Sequence, residues 1–139
     1  MSEPFLGPTG RVPALELDGA APGRPTVRVV PGPAEVATLA AGLIEETVSA
    51  AVAARGVAHL ALTGGSTAGV VYRALAVRAT LHSVPWERTW LWWGDERYVT
   101  RADELSNARI AETELLDGAP GGGLRVPRTQ VHHIPTDEM

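Results

Sequence analysis

Hydrophobic and polar positions change their period several times along the chain. Thr26 to Val30 (TVRVV) is a short β-branched run, which predicts a strand. From Gly32-Pro33 the spacing becomes helical, with Val36, Leu39, Ala40, Leu43, Thr47, Val48, Ala51 and Val52 on one face. Pro33 suits a first helical turn and Gly56 suits the stop. Val57 to Leu62 (VAHLAL) is continuously apolar, the pattern of a buried parallel strand. Thr63-Gly64-Gly65-Ser66-Thr67 reads as a tight turn, followed by a second helix over about Thr67 to Ala79. Thr89 to Trp93 (TWLWW) is another buried strand, Ser106 to Leu116 a third helix, and Gln130 to Ile134 a fourth, short strand. Strand and helix alternate. That order predicts an α/β, Rossmann-like fold with a mostly parallel sheet and helices on both faces. Before it, prolines and glycines break any period, so residues 1–25 read as a flexible extension and 26–139 as the folded part.

Composition narrows the chemistry. The 139 residues are 45% hydrophobic and 20% charged, and mean hydropathy is near zero, as in a globular protein. No apolar run approaches the roughly 20 residues needed to span a bilayer, and no basic segment followed by an apolar core opens the chain. No membrane partner is therefore expected, and a cytoplasmic location is. Cysteine is absent, which removes thiol nucleophiles, disulfides and thiolate metal sites. All 12 basic residues are arginine, so neither a Schiff-base lysine nor a phosphate-loop lysine is available. A net charge of −4 argues against a general nucleic-acid binder.

In parallel α/β sheets ligands bind beyond the carboxyl ends of the strands, and two such ends carry chemistry here. In Thr63–Thr67, Gly64 and Gly65 allow close backbone approach, and Ser66 or Thr67 can cap the following helix. The turn is either an ordinary capped connection or a cradle for an anion such as phosphate. Gly94-Asp95-Glu96-Arg97 follows the most apolar strand. Arg97 can fork onto phosphate or carboxylate oxygens; Asp95 can orient a sugar hydroxyl, a water or Arg97 itself. A local carboxylate–arginine pair closing a surface loop is the plainer alternative. Ser106-Asn107 opens the third helix, either as a simple cap or with Asn107 facing the same crevice and supporting the Asp95–Arg97 loop. His59 reads as a core histidine and Trp90, Trp92 and Trp93 as packing residues. The adjacent His132 and His133 point to opposite faces of a strand and make a poor metal site.

Thr-Gly-Gly-Ser-Thr at 63–67, Trp-Gly-Asp-Glu-Arg-Tyr-Val at 93–99 and Ser106-Asn107, in that order and spacing, resemble the 6-phosphogluconolactonase family, over roughly Thr26 to Pro135. Ala68 and Thr100 stand where that family usually has proline, and Gly118 to Arg128 looks like a loosened connection. The resemblance implies hydrolysis of 6-phospho-D-glucono-1,5-lactone to 6-phosphogluconate in the oxidative pentose phosphate pathway. It implies no metal and no cofactor, and a monomeric full-length enzyme. It implies that Gly64, Gly65, Ser66 and Thr67 grip the substrate with Asn107, that Arg97 binds its anionic oxygens, and that Asp95 holds Arg97 and the base in register. The family's general-base histidine lies in a Gly-x-Gly-x-Asp-Gly-His segment that this sequence does not contain. The chain thus resembles the N-terminal half of such an enzyme, expected to be weak or inactive alone. The rivals are an amino-sugar-phosphate isomerase or deaminase, whose second motif has Asp-Glu-Tyr, and a sugar-phosphate-binding module without catalysis.

Overall fold

The computed structural model describes the strand Leu15–Leu17 and residues 23–138. Two units are distinguished, Met1–Val36 and Ala37–Met139. In the first, β1 (Leu15–Leu17) pairs antiparallel with β2 (Val27–Val29). This corrects two expectations. The run at Thr26–Val30 pairs with a hairpin partner instead of a parallel neighbour, and part of the supposed extension is itself a strand. The Leu-Glu-Leu alternation has the period of two that a strand needs, but prolines and glycines surround it. The rest of residues 1–22 lies outside the described residues.

The helix α1 (Pro33–Arg55) has the expected ends. Its buried stripe is Ala37, Ala41, Glu45 and Val48. The face is therefore rotated from the expected one, and Val36 and Leu43 are exposed. Glu45 sets the rotation. Its carboxylate pairs with Arg78 and, at 2.8 Å, with Nδ1 of His82, and a buried carboxylate without such partners would be costly. At 23 residues α1 is long and apolar enough to cross a bilayer, contrary to the sequence count. A paired, buried glutamate in its middle is how a helix packed on protein is built.

The sheet of the second unit is parallel. β3 (Ala58–Leu62) lies beside β4 (Thr89–Trp93), with Ala58 opposite Thr89 and Leu62 opposite Trp93. Helices α2 (Ser66–Ala79) and α3 (Asn107–Glu114) complete the α/β unit. One face of the sheet, through Ala58, Leu62, Leu91 and Trp93, enters a core shared with Tyr72, Leu75, Ala111, Leu115, Leu116 and Leu124. The opposite face differs from expectation. His59 is exposed instead of core, and Trp92 is 41% exposed. Trp92 Nε1–H donates to His59 Nδ1 at 3.1 Å, and its ring stacks on His132 at 4.3 Å. An apolar run satisfies both faces of a strand in sequence, but here only alternate residues are covered.

The fourth strand shrinks to a single parallel bridge, Leu91 to Val131, between Pro127 and Pro135. The glycine-rich connection is tight where looseness was expected: Leu124 is fully buried and its N–H reaches Leu115 O at 2.8 Å.

Beyond the bridge, His133 stacks on Trp93 at 4.7 Å and its Nε2 lies 3.3 Å from Glu112 Oε1. Arg128 grips the same carboxylate with two N–H groups at 2.7 and 2.9 Å. His133 first, then Arg128, hold Glu112 down at about 2, against the opposing effect of burial. Because its folded value lies below the ordinary 4.5, the pairing stabilises the fold above that pH and is lost as pH falls towards 2. The expected result is a melting midpoint that drops as pH falls from about 5 towards 2 in the wild type and less steeply in Arg128→Gln, where His133 still holds the carboxylate, by calorimetry in about 0.1 M salt.

Candidate functional site

The parallel register puts the ends of β3 and β4 side by side, so the segments after Leu62 and Trp93 leave the sheet together. Gly94 N–H donates to Leu62 O at 3.0 Å and joins them. Tyr72, from the first turns of α2, reaches back to the glycine turn. Its hydroxyl accepts from Thr63 N–H at 3.0 Å and donates to Thr63 O at 2.5 Å. Burial pushes the Tyr72 phenol up, partly offset by the bond to Thr63, so the hydroxyl keeps the proton it donates. Tyr72→Phe removes both bonds. It is expected to cost about 1 kcal/mol and to speed amide exchange at Thr63 while leaving that of Leu75 unchanged, by hydrogen-exchange mass spectrometry.

Gly65 is the N-cap of α2 at φ 96°, a conformation that favours glycine. No side chain caps this helix. The expected Ser66 or Thr67 cap is therefore not formed, because both residues already lie inside the first turn. The first-turn N–H groups have no partners within the helix and lie at the positive end of its dipole.

Asn107 joins the segments. It is buried at the first position of α3. Its Nδ2 donates to Asp95 O and Asp95 Oδ1, each at 3.2 Å. Its side-chain oxygen lies so close to Gly64 that a Cβ there would overlap it. Gly64 is thus required by close approach, whereas Gly65 is required by its backbone angle. Of the residues singled out in the sequence, the structure brings Gly64, Asp95 and Asn107 into one cluster. Gly65, Ser66 and Thr67 form the neighbouring helix start. Ser106 caps α3, its Oγ accepting from Arg109 N–H at 3.3 Å.

Arg97 departs from expectation. Asp95 does not hold it; the Asp95 carboxylate is occupied by Asn107. The Arg97 side chain is exposed, and among the described residues no hydrogen bond or ion pair engages its guanidinium. An exposed cation with no internal partner, just beyond the end of β4, is available to an external anion.

Two residues were given no site role in the sequence reading. Tyr72 is one, and only its long-range bonds reveal it. Glu96 is the other. Its Oε1 accepts from Arg97 N–H and Asn107 N–H, each at 2.7 Å, and its Oε2 from Ala108 N–H at 2.9 Å and Ser106 Oγ–H at 3.0 Å. Burial would raise its pKa, but these four bonds outweigh it and hold the carboxyl below its ordinary value. The signal available in sequence was a third charge between Asp95 and Arg97 that neither neighbour needed. Among the described residues no group of histidines and carboxylates is arranged to hold a metal ion.

The sequence profile of the family described as glucosamine-6-phosphate isomerases/6-phosphogluconolactonase matches residues 31–139. The chain belongs to this family. The resemblance read from residues 63–67, 93–99 and 106–107 is thereby borne out. A 6-phosphogluconolactonase of Mycobacterium leprae is 39% identical over 95 residues, 68% of this chain and 36% of the relative. One from Nostoc is 32% identical over 111 residues, 80% of this chain and 42% of the relative. Among solved structures, 6-phosphogluconolactonase from Trypanosoma cruzi aligns with a TM-score of 0.64 at 29% identity, over 78% of this chain and 39% of that one. The enzyme from Thermotoga maritima aligns at 0.61 and 26% identity, over 73% and 42%. The chain therefore spans about a third to two-fifths of the curated relatives it matches. Its α/β fold is the fold of the corresponding part of those enzymes.

Proposed function

We propose that residues 26–139 are the part of a 6-phosphogluconolactonase that binds the anionic end of its substrate and steadies the developing oxyanion. The observation that carries this reading is the exposed, unpartnered Arg97 guanidinium, at the same end of the sheet as the uncapped first turn of α2. Both attract anionic oxygens, Arg97 through a fork of N–H groups and the helix through its amides and dipole. Family membership and the names of the relatives support a sugar phosphate as the ligand.

In the reaction, water adds to the lactone carbonyl carbon and negative charge collects on the carbonyl oxygen. The ring C–O bond then breaks, the ring oxygen takes a proton, and a carboxylate is left. Gly64, Gly65, Ser66 and Thr67 grip the substrate through backbone N–H groups and hydroxyls. Arg97 meets its anionic oxygens, and Asp95, fixed by Asn107, orients a hydroxyl or the water. Such preorganised donors act on charge as it develops. The water needs a base, a contribution of about 10²- to 10⁴-fold. None of the four histidines hydrogen-bonds to these segments among the described residues, and no base is assigned to this chain.

The reading includes a cytoplasmic setting and a monomeric enzyme, with neither cofactor, nucleic acid nor membrane as partner. The charge of −4, all of its cations being arginine, supports a small anionic ligand over a polyanion. The rival amino-sugar-phosphate isomerase is disfavoured by Arg97, which stands where that group has tyrosine. The test uses the protein as purified from its own cells, offered the phosphogluconolactone and glucosamine 6-phosphate separately. No ammonia release is expected, and any lactone opening by these 139 residues alone is expected to be weak. Ammonia release from glucosamine 6-phosphate, or no binding of 6-phosphogluconate, overturns the assignment.

A further inference from the structure

One carboxylate ties the Arg97 loop to the start of α3. The first three N–H groups of α3 have no partners within the helix. Asn107 N–H goes to Glu96 Oε1, Ala108 N–H to Glu96 Oε2, and Arg109 N–H to Ser106 Oγ. The Ser106 hydroxyl then sends its own proton to Glu96 Oε2. A helix start of this kind commonly takes its acid from its own third residue. Here that residue is Arg109, and the acid comes from the loop after β4. The same Oε1 accepts Arg97 N–H. The backbone that carries Arg97 and the backbone that carries Asn107 therefore close on a single oxygen atom. Through Asn107 the joint extends to Asp95 and to the packing against Gly64.

From this geometry we infer that Glu96 is the positioning residue of the site: it sets Arg97 and Asn107 against one another without itself touching the ligand. The inference rests on the proposed function for what is positioned. The joint stands on the coordinates alone. Three of the four partners are backbone N–H groups, which can only donate. A glutamine would turn its NH₂ against at least one of them, whichever way it is flipped. An aspartate keeps the charge but is one methylene short of spanning the loop and the helix together. The position thus demands both the length and the four-acceptor capacity of glutamate.

The test compares Glu96→Gln with Arg128→Gln in the 139-residue chain. The second variant breaks the pair at Glu112 and reports plain destabilisation. Amide exchange is followed at Arg97, Asn107 and Ala108, and affinity for 6-phosphogluconate by calorimetry. Glu96→Gln is expected to exchange these amides, and to weaken 6-phosphogluconate, each by about tenfold. Added to Arg97→Ala it should cost less affinity than it does alone, because part of its effect acts through Arg97 and the rest through Asn107. Glu96→Asp should recover neither property. Arg128→Gln should lower the melting midpoint and leave affinity unchanged. Unaltered amide exchange in Glu96→Gln overturns the joint. Faster exchange with unaltered affinity overturns the positioning role. Should the wild-type chain bind no 6-phosphogluconate while Glu96→Gln still frees the amides, the ligand reading fails and takes the positioning role with it, and the joint stands.

Discussion

Gly64→Ala is expected to pull the site apart. A Cβ at this position would overlap the Asn107 side-chain oxygen, and Asn107 is too buried to step aside freely. Either the glycine turn moves outward or Asn107 releases Asp95. Overpacking of this sort costs about 1–3 kcal/mol, and about 2 kcal/mol lowers the melting midpoint on the order of 5–10 °C for a chain of this size. The cause can be isolated. Adding Asn107→Ala removes the colliding atoms, so the double variant should melt above Gly64→Ala alone. It should still fail to bind 6-phosphogluconate, because Asp95 has then lost its anchor. A Gly64→Ala protein that melts and binds as the wild type does would show that the turn and α3 are not in contact.

Arg97→Ala is expected to do the reverse, removing function and sparing the fold. Its guanidinium is exposed and holds nothing within the described residues, so stability should stay within about 0.5 kcal/mol of the wild type. Loss of a charge-assisted bond to an anionic ligand amounts to about 10- to 100-fold in affinity. Arg97→Lys should fall between the two, since lysine keeps the charge and loses the planar fork. Calorimetric titration of the three proteins, with melting curves run alongside, separates the outcomes. Equal affinity across the series removes Arg97 from the site.

The sequence carried the order of the elements after Pro33 and the two strand ends that the fold brings side by side. Pro33 and Gly56 marked the ends of α1 because both act through local backbone geometry. The charges after TWLWW stood out because an apolar strand does not ordinarily run into Asp-Glu-Arg. What escaped depended on distant partners. Nothing near Glu96 shows that its carboxylate reaches the start of α3, and nothing near Tyr72 shows that its hydroxyl returns to Thr63. Trp92 and His59 were misplaced because an apolar run does not say which face is covered. The start of α1 was legible, but its buried face was not, because the Glu45 partners Arg78 and His82 belong to α2 and the turn after it. The Leu15–Leu17 strand was hidden by its proline- and glycine-rich surroundings.

The most direct measurement is a titration of the folded 139-residue chain with 6-phosphogluconate by calorimetry, in parallel with Arg97→Ala. The arrangement of the glycine turn, Asp95, Asn107 and Arg97 predicts one binding site on the wild-type chain, weakened at least about tenfold in the variant at an unchanged melting midpoint. A folded wild-type chain that takes up no 6-phosphogluconate, or an Arg97→Ala chain that binds it equally well, would contradict the account.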